Sequence, residues 1–327
     1  MKKNIAILMG GYSSEFEISI QSGNVVYKYL DKDQYRPFRI HITKDGWYYV
    51  DDHDQKHNID KNDFSVLLEG TKITFDAAFN TVHGTPGEDG LLQAYFELIE
   101  IPQTSCDFYQ AGLTFNKRDC ISALKPYGIP TATNYFLNKG DAIDSKAILD
   151  KVGLPCFVKA NKAGSSYGVS KVKKTEELLP AIETAYKEDD EIIIESFLSG
   201  TEVSVGVIQH NGIDTVLPIT EIVTENEFFD YEAKYLGQSE EITPARLSTE
   251  DTKKVHDLAL KVYQILKMKG FSRSEYIFHN GEPHFVEMNT NPGLSEASIL
   301  PQQAQKAGIS LKELFSNAIE SCINQSK

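Results

Sequence analysis

Residues 4–15 read Asn4-Ile5-Ala6-Ile7-Leu8-Met9-Gly10-Gly11-Tyr12-Ser13-Ser14-Glu15. The apolar run from Ile5 to Met9, behind Lys2-Lys3, is too short for a secretory signal and enters a glycine pair directly, the pattern of a buried strand ending in a tight turn. Ile18, Val25, Val26, Tyr29 and Leu30 then recur at helical spacing, so the chain opens as strand, glycine loop and helix. Residues 35–50 alternate or carry β-formers (Phe38, Ile40, Ile42, Trp47, Tyr48, Val50), 77–82 is a further apolar strand, and 91–99 has helical spacing. This opening predicts an α/β layer built on a parallel sheet.

Beyond it, residues 117–127 and 145–152 carry helical patterns, 156–159 a strand, and 162–170 a glycine- and serine-rich candidate for a mobile loop. From Glu191 the chain turns strand-rich. Residues 192–195, 203–209 and 216–222, with an Asn211-Gly212 turn, read as antiparallel hairpins. Residues 224–243 have no periodicity, and a polar loop of that length is expected to bind or cover something. Ser248 with Asp251 and Ser310 with Glu313 have capping-box spacing ahead of helical patterns at 255–266 and 311–323.

Composition excludes several classes. The chain has 327 residues, enough for two or three domains, and 33 Lys plus Arg against 47 Asp plus Glu give a formal charge of −14. General nucleic-acid binding is disfavoured, although a few converging cations can still hold one nucleotide. Cys106, Cys120, Cys156 and Cys322 lie far apart without zinc-type spacing and read as reduced, buried thiols in a cytoplasmic protein. No apolar run approaches the roughly 20 residues of a membrane span.

Three segments carry chemistry. His83-Gly84-Thr85-Pro86-Gly87-Glu88-Asp89-Gly90 follows a buried strand and precedes a helix, the position where open α/β sheets bind ligands; taken alone it could equally be a Gly/Pro turn with a capping carboxylate. Gly10-Gly11-x-Ser13-x-Glu15 also joins strand to helix and gathers backbone N–H groups beside a carboxylate. In Glu287-Met288-Asn289-Thr290-Asn291-Pro292-Gly293, Glu287 and Asn289 are two apart on a strand and share a face, which suits oxygen ligation of Mg²⁺ or, more simply, a solvated acidic face. In this order and spacing the three resemble the D-alanyl-D-alanine ligases of the ATP-grasp superfamily, from Asn4 to the chain end.

The resemblance implies an α/β N-terminal domain over 1–104, a central ATP-grasp domain with a phosphate lid over 105–195, and a C-terminal ATP-grasp domain over 196–327. It implies a ligase joining two D-alanines through a D-alanyl phosphate for peptidoglycan synthesis, with ATP and two Mg²⁺ ions, Mn²⁺ substituting. Small molecules would be its partners, and a homodimer is compatible. Lys117 and Lys159 would hold the α- and β-phosphates, the lid with Ser166 the γ-phosphate, Glu195, Phe197 and Leu198 the adenine, and Glu202 the ribose. Glu275, Glu287 and Asn289 would be the metal ligands. Arg273 and the Gly293 N–H would stabilise the oxyanion, and Glu15 the first ammonium group, braced by Ser165 and Tyr235. His83 would sit beside the reacting carboxylate, Ser298 and Ile299 at the second D-alanine, and Lys234 would close on the γ-phosphate. Read from residue type alone, each lysine could be a solvated surface group and Phe197 a core aromatic.

The chain departs from the family pattern at Arg273-Ser274-Glu275, where Asp usually stands in place of Glu275, and at Lys159-Ala160 and Asn116-Lys117. A ligase for D-lactate or D-serine and a non-catalytic nucleotide sensor are the rivals; Glu232-Ala233-Lys234-Tyr235 resembles the dipeptide-forming loop. A dinucleotide oxidoreductase fails, because Gly10-Gly11 lacks the GxGxxG spacing. The metal site also sets a geometric condition. A plain two-residue turn at Asn280-Gly281 would pair Glu275 with Val286 and turn it away from Glu287, so an odd-length loop or a bulge is required.

Overall fold

The apolar run after Lys2 forms β1 (Lys3–Gly10), in which Ile5, Ala6, Ile7, Leu8 and Met9 are fully buried, and α1 (Phe16–Tyr29) follows the glycine turn. The computed structural model describes residues 2–164, 167–224 and 239–325. After α1 come β2 (Tyr35–Ile42), β3 (Trp47–Val50), β4 (Lys56–Asp60), β5 (Ser65–Leu68), β6 (Thr71–Ile73) and β7 (Ala77–Asn80). They form one sheet in the order β6-β5-β4-β3-β2-β1-β7. β1 pairs in parallel with β2 and β7, as expected, but β2 through β6 run antiparallel. The sheet is therefore mixed: the connections between residues 42 and 71 are too short for the crossover that parallel pairing needs.

The next helices are α2 (Leu91–Leu98), α3 (Phe108–Phe115) and α4 (Lys117–Leu124). Asn116 caps α4 by accepting the Asp119 N–H at 3.0 Å. A second sheet comprises β8 (Asn134–Asn138), β9 (Cys156–Ala160), β10 (Ser170–Val172) and β11 (Glu191–Ser196), antiparallel in the order β10-β9-β11-β8, with α5 (Ser145–Val152) and α6 (Leu178–Ala185) against it.

The third sheet holds β12 (Glu202–His210), β13 (Ile213–Val216), β14 (Thr220–Thr224), β15 (Ser239–Ile242), β16 (Ser272–His279) and β17 (Glu282–Asn289). The single strand expected at 216–222 is broken at Leu217-Pro218-Ile219, so β13 pairs with the far half of β12 and β14 with its near half. Pro218 has no N–H for the ladder, which is why the strand cannot run through. β15 occupies part of the stretch expected to be wholly loop, while Lys234 and Tyr235 lie outside the described residues. Three helices complete the chain: α7 (Thr249–Ile265), α8 (Ile299–Lys306) and α9 (Leu311–Gln325). Ser248 and Ser310 cap α7 and α9 by accepting the N–H groups of Asp251 and Glu313.

The two ends of the chain share one core. Ile5, Ile7 and Phe79 of the first sheet pack with Leu300 of α8 and Phe315 and Ile319 of α9, and the Phe79 and Phe315 rings meet edge to face at 5.6 Å. This brings the loop after β7 over the loop after β17.

The β16–β17 hairpin meets its geometric condition through a bulge and not an odd-length loop. Asn280 and Gly281 form a two-residue turn with φ of 53° and 80°, pairing His279 with Glu282. The register then shifts between Glu275 and Tyr276, leaving Val286 as the extra residue, so that Glu275 stands directly opposite Glu287 and Arg273 opposite Asn289.

Candidate active site

Two adjoining cavities, of about 350 and about 110 Å³, share Lys117, Ala163, Gly164 and Glu287 as a common wall. The larger gathers Glu15, His83, Arg273, Asn289, Gly293, Ser298 and Ile299 from the first and third sheets and their loops. The smaller lies between the two antiparallel sheets and takes Lys159, Glu195, Leu198, Glu202 and Glu275. Phe197 lines neither cavity and is not in the core. Half-buried just beyond the end of β11, it packs on Phe157 at 6.1 Å with the Lys171 ammonium 4.4 Å above its ring. Ser165, Ser166, Lys234 and Tyr235 lie outside the described residues.

Among the described residues, the three cations of the site, Lys117, Lys159 and Arg273, each face a carboxylate. Lys159 Nζ stands 2.7 Å from Glu195, Lys117 Nζ 3.3 Å from Glu287, and Arg273 Nη1 2.8 Å from Glu275. Arg273 also donates to Ser204 Oγ at 3.1 Å, and Lys117 to the Ala163 carbonyl at 2.9 Å. Such pairing is what makes burial of these charges tolerable. For Lys159, burial works against the charge, but Glu195, Glu287 and Glu202 outweigh it and its pKa is raised, so it remains an ammonium group.

Two glycines permit close approach. A Cβ on Gly164 would lie 2.9 Å from Glu15 Oε2, so the glycine-rich segment rests directly on that carboxylate. A Cβ on Gly293 would lie 2.9 Å from Ser298 Oγ, at the start of α8. At both positions a side chain would displace the tip of the facing residue, Glu15 or Ser298, from where it now stands.

His83 is buried, and burial lowers its pKa against the opposing pull of Glu15, which keeps the ring neutral at pH 7. Glu88, not singled out from the sequence, proves to line the larger cavity as well. Burial, with the Glu15 carboxylate adding to it, pushes the Glu88 pKa from 4.5 up to about 8 despite hydrogen bonds from the Gly84 and Asn291 N–H groups. The available signal was its position in a loop at the carboxyl end of a strand; its protonation depends on burial and on Glu15, both of which come from segments remote in sequence.

A pH dependence follows with a definite sign. Between pH 4.5 and about 8 the folded protein keeps a proton on Glu88 that the unfolded chain has lost, so this group's contribution to stability falls as pH rises through that window. Glu88→Gln mimics the protonated form. Its melting temperature should equal that of the wild type near pH 5 and exceed it progressively toward pH 8; a difference that does not change with pH would refute the assignment.

The donors at the junction suit a hard divalent cation. Glu275 and Glu287 face each other across the hairpin, and the Asn289 carboxamide beside them has a buried Nδ2 without a hydrogen-bond partner. Turning that amide over presents an unused oxygen instead. Among the described residues no group of three or more His, Cys, Asp or Glu is arranged to hold a metal. Two carboxylates and an amide match an ion that completes its shell with phosphate oxygens and water.

The chain matches the family model described as D-ala D-ala ligase N-terminus over residues 4–106 and that described as D-ala D-ala ligase C-terminus over residues 123–320. It is 67% identical to the D-alanine--D-alanine ligase of Christiangramia forsetii, covering 99% of this chain and 100% of the relative. It is likewise 67% identical to the D-alanine--D-alanine ligase of Flavobacterium johnsoniae, covering 97% and 98%. Among solved structures, the VanG D-Ala:D-Ser ligase of Enterococcus faecalis superposes with a TM-score of 0.85 at 29% identity, covering 98% and 99% of the two chains. The Bacillus anthracis D-alanine--D-alanine ligase complexed with ATP gives a TM-score of 0.80 at 29% identity, covering 99% and 98%.

Proposed function

The chain belongs to the D-alanine–D-alanine ligase family and forms D-alanyl-D-alanine in an ATP-dependent reaction, and we propose that its two cavities divide the substrates, nucleotide in the smaller and both D-alanines in the larger. The observation that carries this division is the common wall. Lys117, Gly164 and Glu287 face both cavities, so a γ-phosphate leaving the nucleotide would reach a carboxylate in the larger cavity without crossing solvent.

Lys117 and Lys159 neutralise the phosphates, exchanging Glu287 and Glu195 for ATP oxygens as it binds, and Glu202 receives the ribose hydroxyls. Glu275, Glu287 and Asn289 would hold Mg²⁺, which when bound spreads the phosphate charge during transfer. Glu15 orients the ammonium group of the first D-alanine, and neutral His83 lies beside its carboxylate. The amine of the second D-alanine, its carboxylate at Ser298 and Ile299, attacks the acyl phosphate. Arg273 and the Gly293 N–H hold the resulting oxyanion, with Ser165, Ser166, Lys234 and Tyr235 assigned to the lids that exclude water. The working domain limits are 1–104, 105–195 and 196–327. Among the described residues no helix is long and apolar enough to cross a membrane, and we assign the reaction to the cytoplasm.

The test is phosphate release with ATP and Mg²⁺ across D-alanine, D-lactate, D-serine and L-alanine. Release that needs D-alanine and yields the dipeptide is expected. Preferential use of D-lactate or D-serine with D-alanine would reassign the acceptor, and nucleotide binding without turnover would reduce the protein to a sensor.

A further inference from the structure

Asn291, in the loop after β17, is buried, and both polar atoms of its side chain reach another segment of the chain. Its Nδ2 donates to the Gly87 carbonyl at 2.6 Å and the Val82 carbonyl at 3.2 Å. Its Oδ1 accepts from Ser105 Oγ at 2.6 Å, and Ser105 Oγ is itself held by Asn80 Nδ2 at 3.1 Å.

These bonds join two loops about 200 residues apart in sequence: the loop after β7, which carries His83 and Glu88, and the loop that carries Gly293. The first loop offers fixed carbonyls. A Cβ on Gly87 would lie 2.1 Å from the Val82 carbonyl oxygen, so the backbone there is already in close contact with itself. A parallel tie runs through α1, where Ser22 Oγ accepts the Leu294 N–H at 3.1 Å and lies 3.4 Å from His83 Nε2.

We propose that Asn291 is a positioning residue that sets the separation between the His83–Glu88 loop and the Gly293 N–H, so that the first substrate's carboxyl carbon is presented to the oxyanion donor. The inference rests on the functional reading above. No covalent link shorter than the whole intervening chain holds the two loops in register, and an error of about 1 Å in such a register costs about a hundredfold in rate. The nucleotide cavity, whose Phe157, Lys159, Glu195 and Glu202 lie on the other two sheets and their connections, does not depend on this strut.

Asn291→Leu keeps the volume and removes the carboxamide. Relative to the wild type, the KM for D-alanine should rise at least about tenfold and kcat fall at least about tenfold, while the KM for ATP stays within about twofold. Ser105→Ala and Ser22→Ala, which each remove one tie, should move the same two parameters in the same direction by less. Wild-type kinetics in Asn291→Leu would overturn the strut, as would a kcat that falls only in proportion to the folded fraction with every KM unchanged. If Asn291→Leu does not fold, an unchanged D-alanine KM in both serine variants overturns it. A wild-type protein that forms no dipeptide would overturn the functional reading itself, whereas a working wild type with unaltered variants overturns the strut alone.

Discussion

Glu287→Gln will lower turnover by at least about a thousandfold while the protein remains folded. Among the described residues, Glu287 is the one carboxylate on the wall between the two cavities, opposite Glu275 in the hairpin and 3.3 Å from Lys117. A neutral amide there cannot balance divalent charge beside a transferring phosphoryl group, and one Gln oxygen cannot serve two ions as two carboxylate oxygens can. Stability should fall, because Lys117 loses its charge partner, but the protein should stay folded, since Lys117 keeps its hydrogen bond to the Ala163 carbonyl and the amide keeps the side chain's shape. Single-turnover phosphate release with circular dichroism on the same sample separates the two effects. A kcat within tenfold of the wild type would remove Glu287 from the mechanism.

The second large effect concerns Arg273, whose guanidinium serves the proposed oxyanion and also the resting fold. Arg273→Ala is expected to reduce kcat by about 10²–10³. It should also destabilise the unliganded protein by about 3–5 kcal/mol, because the Glu275 side chain, only 5% exposed, loses its charge partner. The two roles can be separated. Arg273→Ala combined with Glu275→Gln removes the stranded charge, so it should recover most of the melting temperature and none of the activity. Recovery of both would mean that Arg273 acts only through Glu275, and a single variant as stable as the wild type would mean that the buried pair is not coupled.

Much of this molecule is written in short stretches of its chain. The run from Ile5 to Met9 and its glycine pair define a strand and turn whatever lies elsewhere, because five apolar residues between charge and glycine have few other stable uses. Helix starts at Ser145, Thr249 and Leu311 follow from capping groups within three residues, and the Asn211-Gly212 and Asn280-Gly281 turns from two residues that tolerate positive φ. The residue types of the three motif segments carried the family resemblance, since each sits in a contiguous run.

What local pattern could not decide was everything that depends on which distant segments meet. The antiparallel course of residues 47–73 reflects short connections competing for a sheet edge, and the break at Pro218 splits one apolar run between two halves of the same neighbour. The metal site required Glu275 to face Glu287, but whether an odd-length loop or a bulge at Val286 supplied that register depended on the pairing of the whole hairpin. Glu88 stays protonated because packing buries it and Glu15 stands near it, and Asn291 spans two loops because the helices at the chain's end pack behind its first sheet. Periodicity and turn chemistry act over a few residues and can be read in order along the chain, whereas desolvation, coupled charge and hydrogen bonds between remote loops exist only once the tertiary packing has brought those groups together.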